Sequence, residues 1–239
     1  MTKPDTIANW VNRATALELI AWSLSYPESQ ANADLVLSGE WQAAACELYE
    51  TLGASAPEAL SKPPATLFVQ HSAGEEAAED INVEQAFHAL RIESTRLFFA
   101  SPEPVCTPYE GAARAKAEGA PAQLFVNPFT VSVEAFCSEC GIRRPDNVRE
   151  PIDHVVAECE LMQYLCLSEA ETIQHGTAAR TFPGGSAEAA YQAFLREHAL
   201  AWMPAFAEAL STEARLPFYR ETAALLQSFL EHEAARIQD

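Results

Sequence analysis

"REPIDHVVAECELM" (residues 149–162) is the stretch on which the fold turns. At 3.6 residues per turn, Ile152, Val155, Val156, Cys159, Met162 and, further on, Cys166 form one stripe of a helix. His154, Glu158, Leu161 and Leu165 form a second line on another side. A helix that is apolar on two sides belongs at the centre of a bundle. Pro151 has a fixed φ and no N–H to donate, so it suits a first helical turn. That predicts a helix from Glu150 to about His175, with Glu150 at the cap position and Asp153 as the third helical residue. A carboxylate there accepts unpaired backbone N–H groups and meets the positive helix end. Asp153 is thus either a helix cap or a charged docking point, and His154 is either a core histidine at the rim or a partner contact. Adjacent helical residues point about 100° apart, which is poor geometry for Asp153 to orient His154 as a catalytic dyad.

Outward from this helix the pattern stays helical. Ile7, Trp10, Val11, Ala14, Leu17, Ile20 and Leu24 recur at helical spacing, with Asp5 and Thr6 as caps and Pro27 as the stop. Short helices are predicted near residues 34–37 and 40–52. Residues 53–79 read as loops and turns, with local order around 67–69. "VEQAFHALRIESTRLFFA" predicts a helix to about Ala100, and Pro102, Pro104 and Pro108 then enforce an extended loop. A short helix is predicted from Pro108 or Tyr109. "NPFTVSVEAFCSECG" has strand-forming residues, but a lone strand has nothing to pair with, so a helix ending at Gly141 is predicted. Past the break at "TFPGGS", helices are predicted near 187–199 and 203–210, then from Pro217 almost to the end. The expected architecture is all-α, a single globular bundle of about nine or ten helices over residues 1–239. The Pro-rich loop would join an N-terminal part, 1–100, to a C-terminal part, 109–239.

The bulk numbers narrow the function. The 239 residues carry 34 acidic against 15 basic side chains, a net charge of −19. Nucleic acid is a poor partner for such a surface, whereas a cationic peptide suits it. No apolar run reaches the roughly 18–20 residues that span a bilayer, and the N-terminus lacks the pattern of a secretory signal. A cytoplasmic location is expected. The six cysteines read as thiols rather than a disulfide framework. Cys137 and Cys140 form a lone CxxC, which is either a redox or zinc site or, with no second CxxC and no βαβ pattern beside it, a structural or incidental pair.

Three segments together resemble a known family, the TorD/DmsD/NarJ chaperones that mature redox enzymes. Glu150-Pro151-Ile152-Asp153-His154 resembles the family's E-x-P-x-D-H signature. "TRLFFASPEPVCTPYEG" is similar to its Leu-Phe segment, Pro-rich loop and Pro-Tyr-Glu, with Ser94 where the family has an aromatic. The third, from "FLREHALAWMPAF" onward, is similar to its C-terminal helices. The resemblance implies an all-helical protein without catalytic residues, metal or cofactor of its own. It implies binding to the apo catalytic subunit of a molybdopterin oxidoreductase, to its twin-arginine signal peptide, or to both. Such binding delays export until the cofactor is inserted. Monomers and domain-swapped dimers both fit. The implied client surface comprises Leu97, Phe98, Pro102, Pro108, Tyr109, Glu110, Glu150, Pro151, Asp153 and His154. Of these, Glu110, Glu150 and Asp153 offer carboxylates for bidentate pairing with guanidinium groups, and Leu97 and Phe98 offer a groove for an apolar helix or plain core.

Two rival readings use the same residues. A metal-dependent hydrolase would draw on His154, Glu158 and Asp153, although no His-Glu-x-x-His, P-loop or Gly-x-Ser-x-Gly pattern occurs. A generic acidic adaptor would need nothing but the charge.

Overall fold

The computed structural model describes residues 3–69, 81–99, 103–119, 127–143, 151–176 and 181–237. Pro102 and Glu150 therefore lie outside the described residues. The protein is all-α. Its helices are α1 (Lys3–Leu24), α2 (Gln30–Leu37), α3 (Glu40–Thr51), α4 (Val83–Ser94), α5 (Glu110–Ala117), α6 (Pro128–Glu139), α7 (Val155–His175), α8 (Ala187–Phe194), α9 (Leu200–Glu213) and α10 (Pro217–Arg236). Short 3-10 turns at Glu58–Ser61 and Pro64–Phe68 supply the order expected around 67–69, with Leu67 and Phe68 buried. The ambiguous "FTVSV" is helical: the Asn127 side chain accepts the Phe129 N–H, Pro128 fills the first position, and Gly141 takes φ 75° just past the end.

Backbone proximity divides the chain into two units. Residues 1–22, 108–203 and 237–239 form the first, and residues 23–107 and 204–236 the second. One division falls at Pro108, inside the Pro-rich loop. Most of α1, however, belongs with the later helices, and α10 with the earlier ones.

In unit one, α7 carries the core. Val155, Cys159, Leu161, Met162, Leu165 and Cys166 are all buried, so both apolar lines of the helix are covered. It packs on α8, and Trp10 of α1 meets Tyr191 of α8 edge to face at 5.5 Å. In unit two, α2 packs on α4, and Trp41 packs at a tilt against Phe218, with ring centroids 4.9 Å apart, while its indole N–H donates to Ser23 at 2.8 Å.

Two helix boundaries differ from expectation. The segment expected to break before Met203 is helical instead: a wide π-turn spans Leu195–Ala199 and α9 follows, with Pro204 inside it. The second difference concerns the start of α7 and shapes the site.

Candidate functional site

Helix α7 begins at Val155, not at Glu150. Its cap is His154, whose Nδ1 accepts the Val156 N–H at 3.2 Å. Ahead of it, Ile152 and Asp153 form a turn, and His154 is extended and pairs with another segment. The Val155 N–H donates to the Pro108 carbonyl at 2.8 Å, and the Glu110 N–H donates to the Asp153 carbonyl at 2.9 Å. These two bonds flank an isolated antiparallel bridge between Tyr109 and His154. At such a position the side chains stand on one face and close together, and the two rings meet edge to face at 5.1 Å. The pairing satisfies the first N–H of each helix, that of Val155 in α7 and that of Glu110 in α5.

Asp153 is consequently a cap, but for a different helix. Its Oδ2 accepts the Gly111 N–H at the start of α5, at 2.9 Å, and the Thr130 hydroxyl of α6, at 2.7 Å. With 1% of its surface exposed, it ties α5, α6 and the entry to α7 together. The close approach demands glycine at 111. A Cβ there would fall 2.5 Å from Thr130 Oγ1 and 2.8 Å from the Asn127 amide. Gly111→Ala is expected to force those side chains apart and cost about 1–3 kcal/mol, the range of overpacked sites, read as a lowered urea midpoint with an unchanged slope.

Glu110, offered by the sequence as a partner for a client's arginine, is fully buried and engaged within its own chain. Its Oε1 accepts from Arg114 Nη1 at 2.6 Å, and its Oε2 lies 2.8 Å from Nδ1 of His198. Arg114 also donates to the Glu197 carbonyl and stacks over Phe129 at 4.0 Å. His198 is sandwiched by rings, stacked on Phe194 at 4.7 Å. The sequence reading missed Arg114, His198 and Trp202 as members of this network. The signal available was the i, i+4 spacing of Glu110 and Arg114; nothing local points across 88 residues to His198.

Glu158 lies one turn into α7 with no exposed surface, and its Oε2 accepts the Trp202 indole N–H at 3.0 Å. Burial, then the nearby Glu110 charge, pushes its carboxyl well above the usual carboxylate range. The trio His154, Glu158 and Asp153 thus does not converge: one ring turns to Tyr109, one carboxyl to Trp202, one to Gly111 and Thr130. Among the described residues, no group of three His, Cys, Asp or Glu side chains is placed to hold a metal ion. Cys137 and Cys140 are both buried, and burial first of all pushes their thiols up to about 12 and about 11, the reverse of an activated CxxC.

Of the sequence-derived surface, Pro108, Tyr109, Glu110, Asp153 and His154 come together in unit one. Pro108, Glu110 and Asp153 are buried, Tyr109 and His154 half-buried, and Pro151 exposed. Leu97 and Phe98 belong to unit two and are core residues, 0% and 5% exposed. They sit in a π-turn, Thr95–Phe99, and Phe98 packs against Phe206 and Tyr219. The same turn leaves Phe99 48% exposed, against Tyr26 at 5.6 Å. The Pro-rich loop is tied back to it, because the Cys106 N–H donates to the Leu97 carbonyl at 2.9 Å. Ser94 is fully buried, and the Tyr219 hydroxyl of α10 donates to the Leu90 carbonyl one turn before it.

The chain is similar to known proteins. The chain matches the nitrate reductase delta subunit family over residues 37–208, well over half its length. It is 29% identical over 93 residues to the chaperone protein TorD of Vibrio cholerae, covering 39% of this chain and 40% of that protein. It is 32% identical over 91 residues to the chlorate reductase assembly chaperone protein of Ideonella dechloratans, covering 38% and 44%. The matched part thus spans about two fifths of these relatives' length. A crystal structure of a redox enzyme maturation protein from Archaeoglobus fulgidus aligns over 91% of this chain and 93% of its own, with a TM-score of 0.48 at 18% identity. The chain belongs to the nitrate reductase delta subunit family, the TorD/NarJ group of chaperones.

Proposed function

We propose that this protein is a cytoplasmic maturation chaperone that binds the apo catalytic subunit of a molybdopterin oxidoreductase, or its twin-arginine signal peptide, and delays export until the cofactor is inserted. The observation that carries the reading is the Tyr109–His154 bridge. Two rings are presented side by side at a helix mouth, next to exposed Pro151, and buried polar groups beneath them hold the pair rigidly. Half-buried aromatic rings on a fixed frame lose little entropy when they bind an apolar segment. Family membership and the similarity to a chlorate reductase assembly chaperone support the same reading.

The net charge of −19 favours a cationic leader. Glu110 and Asp153 contribute from inside, by positioning the mouth, and Leu97 and Phe98 by supporting Phe99. Titration with a twin-arginine leader, and with its Arg-Arg→Lys-Lys variant, tests the proposal. Lysine cannot make the paired N–H contacts of a guanidinium, so the variant is expected to bind about tenfold more weakly, a difference of about 1.4 kcal/mol. Wild-type affinity should fall as salt rises. Binding to neither the leader nor an apo molybdoenzyme would sink the proposal. Binding to the apo-enzyme alone would select a mode that does not use the leader.

A further inference from the structure

Beside the Tyr109–His154 bridge, two carboxyl groups are fully buried on neighbouring segments. Glu110 is the first residue of α5 and Glu158 lies in the first turn of α7; neither has any exposed surface. Each is bonded by its backbone to the mouth. The Glu110 N–H donates to the Asp153 carbonyl, and the Glu158 N–H to the His154 carbonyl at 3.0 Å. Glu110 is served on both oxygens, by Arg114 and by His198. Glu158 is served on one, by Trp202, while its Oε1 has no donor among the described residues and the carboxyl faces Glu110.

Two acceptors cannot bond to each other unless one carries a hydrogen. An undonated oxygen in a dry interior is costly, and a second buried charge more so. The surroundings offer little to balance that charge. On α5 the facing cation is Arg114; ahead of α7 stands Asp153, a third buried carboxyl whose Oδ1 also lacks a donor among the described residues. His198, on the wide turn before α9, is engaged with Glu110. Cys137 of α6 and Cys159 of α7 also feel the Glu158 charge, and both thiols are pushed up, mainly by burial. The positive ends of α5 and α7 favour an anion, but that effect is small beside the desolvation of a buried carboxylate.

We propose that Glu158 and Glu110 share a proton across a carboxyl–carboxyl hydrogen bond, and that this bond clamps α5 to α7 and so holds the Tyr109–His154 mouth closed. The clamp goes beyond the chaperone reading and stands whether or not a client binds there. It makes the mouth sensitive to pH. A carboxyl that keeps its proton in the fold but loses it in the unfolded chain, near the ordinary 4.5, makes the folded state the better proton binder. Stability then falls as pH rises from the ordinary value to the folded one. Glutamine at 158 keeps the acceptor for Trp202, supplies an N–H to Glu110, and has no proton to lose.

The test compares urea unfolding of the full-length wild type and Glu158→Gln from pH 5 to 8, followed at the Trp202 indole N–H resonance, which Trp202→Phe assigns. The ratio of unfolding constants, wild type over variant, is expected to climb towards tenfold per pH unit while Glu158 retains its proton. A ratio that stays flat over this range means an ionised Glu158 and overturns the proposal. The clamp has its own readout. Glu158→Asp keeps a carboxyl but withdraws it from Glu110, and exchange of the Glu110 and Val155 amides should speed up at least tenfold relative to amides elsewhere in unit one. Unchanged relative exchange at those two amides would refute the clamp.

Discussion

Asp153→Ala is expected to destabilise unit one by about 2–4 kcal/mol, whereas Asp153→Asn should cost under half as much. Alanine leaves two buried donors, the Gly111 N–H and the Thr130 hydroxyl, without their acceptor, and each such loss costs roughly 1–3 kcal/mol, not fully additively. Asparagine keeps one side-chain oxygen in reach of both. The same pair of variants decides how Asp153 serves the client. If it positions Tyr109 and His154 from beneath, as its 1% exposure argues, then Asp153→Asn retains leader affinity within about threefold and Asp153→Ala loses it. If its charge meets the client's arginines directly, both variants lose affinity alike. Urea unfolding beside a leader titration separates the two outcomes.

The second large effect is expected at the wide turn of unit two. Phe98→Ala should cost about 3–5 kcal/mol, the usual range for removing a buried aromatic ring, because Phe98 fills the space between Phe206 and Tyr219. Phe99→Ala, at 48% exposure, should cost less than about 1 kcal/mol. Client affinity should show the reverse order per unit of stability lost, with Phe99→Ala weakening binding in a fully folded protein. The π-turn explains why neighbouring rings behave so differently. Its extra residue rotates the chain, so that two successive side chains point inward and the third out. Retained affinity in Phe99→Ala would remove this face from the client surface.

The residues around 149–162 show what can be read from one chain and what cannot. The period of Val155, Cys159, Met162 and Cys166 is a local property, and it placed a central helix correctly because burial on two sides leaves a periodic trace. Pro151 and Asp153 looked like the first turn of that helix for an equally local reason: each suits such a position. The competing arrangement, a bridge to Pro108 and Glu110, lies more than 40 residues away in sequence and offers the same backbone groups a different partner. Where two local solutions are of similar energy, a distant contact decides between them.

The candidate site divides in the same way. The polarity of "PIDH" and the aromatic in "PYEG" were visible as unusual residues, and both stand at the mouth. Glu110 was read as a charge facing outward because nothing in its neighbourhood predicts Arg114 and His198 around it. Glu158 read as the polar member of an apolar line, and only packing shows that it is buried opposite another acid and bonded to Trp202. The sequence by itself determined an all-α chain, the positions of most of its helices, an acidic surface and membership of a family. The helices and the acidity follow from periodicity, turn chemistry and composition, which are carried by neighbouring residues; the family follows from the resemblance of three segments to its motifs. Tertiary structure alone decided which carboxylates are exposed, which helix Asp153 caps, and which of Leu97, Phe98 and Phe99 points outward. Burial and hydrogen-bond partnership depend on what the rest of the chain brings alongside, and no local pattern encodes that.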